Sequence, residues 1–106
     1  MNWNDEIIDE VWQHGRVLPD VDAALWRQDA CGAWMRRDEY GHASSEFGWK
    51  MERVTAGTGD APQSLRPYHW HNRFDISQHL AHGRVKADRS GVPASEQAWP
   101  PKNRQL

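Results

Sequence analysis

The chain has 106 residues, 12.3 kDa and a formal net charge of −2, which is the size of one small domain. Near-neutral charge excludes histone-like binding of polyanions, and no apolar run reaches the roughly 18 residues of a membrane span. A single cysteine, Cys31, excludes an internal disulfide and a CxxC zinc knuckle.

Apolar aliphatic residues are scarce, but seven tryptophans at positions 3, 12, 26, 34, 49, 70 and 99 offset the shortage. Each buries roughly 150–250 Å², so a small core needs few residues. The N-terminal residues are acidic and lack the basic and apolar regions of a signal peptide, so a reducing, cytoplasmic setting is expected. Asn4 is placed to cap an amphipathic helix over 4–13, with Asp5 and Glu6 in its first turn. Ile7, Ile8, Val11 and Trp12 share its apolar face. Residues 15–29 read as a connector with one short helical turn near 23–26. Cys31 reads as a packed small residue rather than a nucleophile.

From Cys31 the pattern turns to strands. Residues 33–37 and 47–54 are expected to form a hairpin around a polar turn at 41–45. In the second strand Trp49, Met51 and Arg53 face one side, and Lys50, Glu52 and Val54 the other. Residues 55–63 read as a loop, and 65–69 as a short extended segment whose Pro67 suits an edge or a bulge. The spacing of Phe74, Ile76 and Leu80 before Gly83 predicts a helix over about 70–81. Residues 84–106, with net charge +3, read as a flexible basic tail, whereas residues 1–29 carry −5.

The short pieces Cys31-Gly32-Ala33-Trp34, Tyr40-Gly41, Gly48-Trp49, Leu65-Arg66-Pro67 and His69-Trp70 occur in an order that resembles HNH-type nuclease domains. The resemblance covers roughly residues 11–78. It implies an α+β fold with a ββα-metal-like core at about 31–82, inside a single domain over 1–83. It also implies phage or mobile-element origin, where such domains are common.

At the positions where the family carries its catalytic centre, this sequence departs from the pattern. The pair that normally supplies a metal ligand and a histidine base is Glu52-Arg53, and the central asparagine is replaced by Ser64. The final ligand position falls at Arg73, one residue after Asn72. Arginine, with a pKa above about 12, cannot take a proton from water. Arg53 and Arg73 are therefore expected to stand in place of a metal and pair with Glu52, with no cofactor and no catalysis.

Such a pocket would still bind phosphate or carboxylate through Arg53, Arg66, Arg73 and Asn72. The expected function is a binding or regulatory module for a protein partner or a DNA backbone. The rival reading is a metal-dependent endonuclease whose divalent ion uses an atypical set: Glu52, His69, His71 and Asn72. His79 and His82, three apart on the expected helix, form a second histidine pair without a third ligand.

Overall fold

A computed structural model describes residues 5–19, 21–54, 62–88 and 102–106. The fold is α+β, with one helix followed by four separate antiparallel two-stranded ribbons. Helix α1 spans Asp5–Trp12, close to the expected bounds, and buries Ile8, Val11 and Trp12. The expected Asn4 cap lies outside the described residues.

The connector does more than link. It holds strand β1 (Trp26–Gln28), which pairs with β2 (Trp34–Arg36) after a turn at Gly32. Arg16 extends this ladder through a reciprocal backbone pair with Gln28, at 2.8 and 3.1 Å. The expected hairpin of 33–37 with 47–54 is thus corrected, because β2 takes β1 as its partner. One backbone bond, from Arg36 N–H to the Phe47 carbonyl, and the Trp49 indole N–H donating to the Arg37 carbonyl join the two expected arms.

Strand β3 (Trp49–Arg53) instead pairs with β4 (Leu65–His69). Bonds from Val54 N–H to Ser64 and from Trp70 N–H to Gly48 set the hydrogen-bonded positions at every second residue. Met51 and Pro67 then face each other at a non-hydrogen-bonded position, where the missing proline N–H costs nothing. The expected alternation holds. Trp49 and Met51 join Ile8, Val11, Trp12, Met35 and Leu65 in the core, and Lys50 and Glu52 lie on the opposite face.

Two further ribbons replace two sequence expectations. The predicted helix over 70–81 does not form. Residues Arg73–Asp75 (β5) and Leu80–His82 (β6) make a hairpin instead. Phe74, Ile76 and Leu80 match a helix only loosely, and Asp75 diverts the chain. Its carboxylate accepts the Ser77 and Gln78 N–H groups at 3.0 and 3.2 Å and the Ser77 hydroxyl at 2.7 Å, which fixes a turn. The basic segment is likewise not all tail, since Val85–Ala87 (β7) pairs with Asn103–Gln105 (β8). Asn103 ties this ribbon back: its side chain accepts from Trp34 N–H and donates to the Trp34 and Glu46 carbonyls, at 2.8–2.9 Å. Among the described residues no helix is long and apolar enough to cross a membrane.

Aromatic rings fill the core. Trp49 lies 5.1 Å from Trp12 and 4.8 Å from Tyr40, while Trp26 meets Phe47 edge-on at 4.9 Å. Gly48 allows this packing, because a Cβ there would overlap the backbone carbonyl oxygen of His42. Gly48→Ala is expected to destabilise the fold by about 3 kcal/mol in denaturant titration. At Gly41 a Cβ meets nothing but φ is +80°, so Gly41→Ala should cost only about 1–2 kcal/mol.

Candidate functional site

The residues around the expected centre are arranged by a buried carboxylate. Asp29, just after β1, is 2% exposed and accepts four hydrogen bonds. Its Oδ1 receives the N–H groups of Cys31 and Ala33, both at 2.9 Å. Its Oδ2 receives the His69 N–H at 3.0 Å and the Asn72 amide at 2.8 Å. Four donors satisfy a charge that would otherwise be costly to bury.

Asn72 passes the constraint on. Fully buried, its amide nitrogen also donates to the Val85 carbonyl, and its Oδ1 accepts from the Arg84 and Val85 N–H groups at 2.7 and 3.0 Å. Arg84 is thereby held beside Arg73, the residue that follows Asn72. The sequence reading placed Asn72 in the binding set and in the rival ligand set. Its hydrogen-bonding capacity is instead consumed inside the fold.

The two arginines line a hollow of about 660 Å³ together with Lys50, Trp70, His71 and His82. Lys50 Nζ stands 5.7 Å over the Trp70 ring and 3.8 Å from Glu52, and Arg73 lies 3.9 Å from Asp75. Two carboxylates therefore offset two of the cations, while Arg84 is in no ion pair among the described residues. Two wall residues, Trp70 and His82, carry a buried ring nitrogen with no hydrogen-bond partner among the described residues. The hollow is locally basic on a chain that is not.

The expected pairing of Arg53 and Arg73 with Glu52 is not formed. Glu52 takes Lys50 and the Phe74 N–H, the latter at 3.3 Å. Arg53 is exposed and, one residue along an extended strand, points to the other face. Arg66 lies directly across from Glu52 and borders a separate cleft, and Ser64 is buried where β4 begins. Lys50 and Trp70 were missed by the sequence reading as site residues, and Arg84 entered it only as part of a basic tail able to contact phosphates. The i, i+2 spacing of Lys50 and Glu52 hinted that they share a face.

The atypical ligand set is not assembled either. His69 is 2% exposed; its Nε2–H donates to the Glu46 carbonyl at 2.7 Å and its Nδ1 accepts the His71 N–H at 3.1 Å. Both ring nitrogens are thus used, and the tautomer is fixed by these partners. Among the described residues no group of three or more His, Cys, Asp or Glu is placed to hold a metal ion. His79 and His82 sit in the turn and second strand of the β5–β6 hairpin rather than on a helix face. The Cys31 thiol packs where a Gly83 Cβ would fall, 3.0 Å away, and burial followed by the Asp29 charge pushes it up to about 11. The thiolate is therefore disfavoured at neutral pH.

Compared with protein-family models, curated proteins and solved structures, the chain matches none.

Two expectations test this arrangement. Asp29→Asn turns an amide N–H₂ toward N–H donors and should cost about 2–4 kcal/mol in chemical denaturation. Burial also holds the His69 ring below its usual 6.5, outweighing the opposing pull of the Glu46 carbonyl. Below that pH the unfolded chain takes up a proton that the fold refuses, so stability falls as pH drops. Thermal melts should show Tm declining from about pH 6.5 toward 5, before most carboxylates titrate. His69→Gln should remove that slope.

Proposed function

We propose that the protein is an HNH-related binding module without a working nuclease centre, and that its basic hollow receives phosphate groups of a nucleic-acid backbone. The observation that carries this reading is the state of Glu52. The one carboxylate at a family ligand position accepts a backbone N–H from Phe74 and faces the Lys50 ammonium. Both contacts fall on Oε1, and the Lys50 ammonium beside it opposes a metal cation there by like-charge repulsion. The relation to the family rests on the β3–β4 hairpin and its motifs, since β5–β6 stands where the helix of a ββα-metal core is expected.

The adjacent hollow supports the binding half of the proposal. Arg73 and Arg84 present guanidinium groups suited to bidentate contacts with phosphate oxygens. The Trp70 ring nitrogen, with no hydrogen-bond partner among the described residues, belongs to the same wall, as does His82, whose Nε2 lies 4.0 Å from Asp75. The acidic residues Asp5, Glu6 and Glu10 of α1 are exposed and would repel a polyanion elsewhere on the surface. The acidic helix and a small hollow favour contact with a small number of phosphates over wrapping of a long duplex.

Fluorescence anisotropy with a short labelled duplex tests this. Binding should weaken with salt at a logarithmic slope of about −2, as for two phosphate contacts. The double variant Arg73→Ala, Arg84→Ala should lose about tenfold or more in affinity at low salt. A plasmid incubated with Mg²⁺ or Mn²⁺ should stay intact. Nicking that disappears in Glu52→Ala would overturn the non-catalytic reading, and duplex affinity unchanged in the double variant would overturn the phosphate site.

A further inference from the structure

A second cleft, of about 490 Å³, opens on the same face of β3–β4 as the basic hollow. The even-numbered positions of the ribbon make that face. Lys50 and Trp70 lie toward one end, Val54 and Arg66 toward the other, and Glu52 holds the Phe74 N–H between them. Strand β5 thus partitions the face, with Arg73 on the hollow and Phe74 on the cleft, and the two cavities share no wall residue.

The wall has two characters. Arg16 and Arg66 are exposed and are in no ion pair among the described residues. Asp29 borders the cleft, but its oxygens are occupied by four N–H donors and 2% of the residue is exposed. His14 donates from Nδ1 to the Leu65 carbonyl at 2.8 Å, which leaves Nε2 as its other hydrogen-bonding atom. Glu52 lies directly across from Arg66 on the ribbon, but it is engaged by Lys50 and the Phe74 N–H. The remainder is aromatic: Phe74 lies 6.4 Å from Tyr68 and meets His79 edge-on, at 5.3 Å and 88°.

His79 adds an independent observation. Its φ of 52° is the one positive value at a non-glycine residue among those described. A side chain in that region costs about 1–2 kcal/mol that glycine would avoid. The strained backbone presents an imidazole to Phe74 at the cleft wall.

We propose that this cleft binds a small molecule consisting of a flat aromatic ring and an oxyanion, either phosphate or carboxylate. The ring packs against Phe74 and His79, and Arg16 and Arg66 hold the oxyanion. The volume falls among small-molecule sites, which run to roughly 300–1,000 Å³. Paired guanidinium groups match planar or tetrahedral oxyanions, and aromatic faces select a ring. The proposal stands on a different cavity from the nucleic-acid reading and does not depend on it.

The test is calorimetric titration of the full chain with adenosine monophosphate and, separately, indole-3-carboxylate. Inorganic phosphate and adenosine serve as the two halves of the first probe. At least one intact probe should bind, about tenfold or more tighter than either half. Binding of the nucleotide alone identifies a phosphate ester as the class, and binding of the indole acid alone identifies a carboxylate. Arg66→Ala should weaken binding about tenfold. His79→Gly should also weaken it while leaving Tm equal or raised, which separates loss of a contact from loss of the fold. The proposal is overturned by no binding of either probe, by a half that binds as tightly as the whole, or by affinity unchanged in Arg66→Ala and His79→Gly. Binding abolished by Arg73→Ala would place the ligand in the basic hollow and overturn it equally.

Discussion

One buried carboxylate organises this protein. Each ribbon has only two strands, and an isolated two-stranded ribbon is marginal in water. Sheet continuity is replaced by polar side-chain joints. Asp29 gathers the turn before β2, the end of β4 and the side chain of Asn72, and Asn72 extends the grip to the start of β7. Asn103 does the same for β8 by hydrogen-bonding the Trp34 backbone as a neighbouring strand would. Such networks rigidify only when fully satisfied, and each member of this one is.

The apolar part of the fold works under the same economy. Trp12, Trp34 and Trp49 are the largest fully buried side chains, and they let one short helix and a few short strands enclose a core. Trp12 is fixed further by donating to the Ala23 carbonyl at 3.0 Å. Arg27 completes the junction. Its buried guanidinium donates to the Gln13 and Gly15 carbonyls past the end of α1 and to Ala23. It thereby meets acceptors that a helix C-terminus leaves unpaired and places positive charge at the negative end of the dipole.

What could be read from the sequence follows from whether the cause is local. The amphipathic helix and the alternation along β3 depend on neighbours in the chain, and both were legible. The pairing of β3 with β4 was not, because β1 (Trp26–Gln28) lies in a stretch with no periodicity to mark it as the partner of β2. The helix expected at 70–81 failed because Asp75 captures two N–H groups and a hydroxyl and turns the chain at a point where apolar spacing alone suggested continuation. The candidate site was half legible. Arg53, Arg66 and Arg73 were expected in one binding pocket, but Arg73 lies in a strand rather than a helix, and β5 separates it from Arg66 into a different cavity. Asn72 and His69 carry residue types that suit metals, and only three-dimensional partners reveal that both are structural.

The long reach of the polar joints also bears on how the chain reaches this fold. The β5–β6 hairpin closes over a few residues, while Asp29 meets Asn72 across 43 positions and Trp34 meets Asn103 across 69. Ordering the chain between such partners precedes any gain from their contact, so non-local joints slow the search. The ribbons with local turns can form early, but the carboxylate that unites them finds its donors only when distant segments have already converged. Long-range joining in this protein therefore rests on a few hydrogen bonds between distant segments as well as on its small aromatic core.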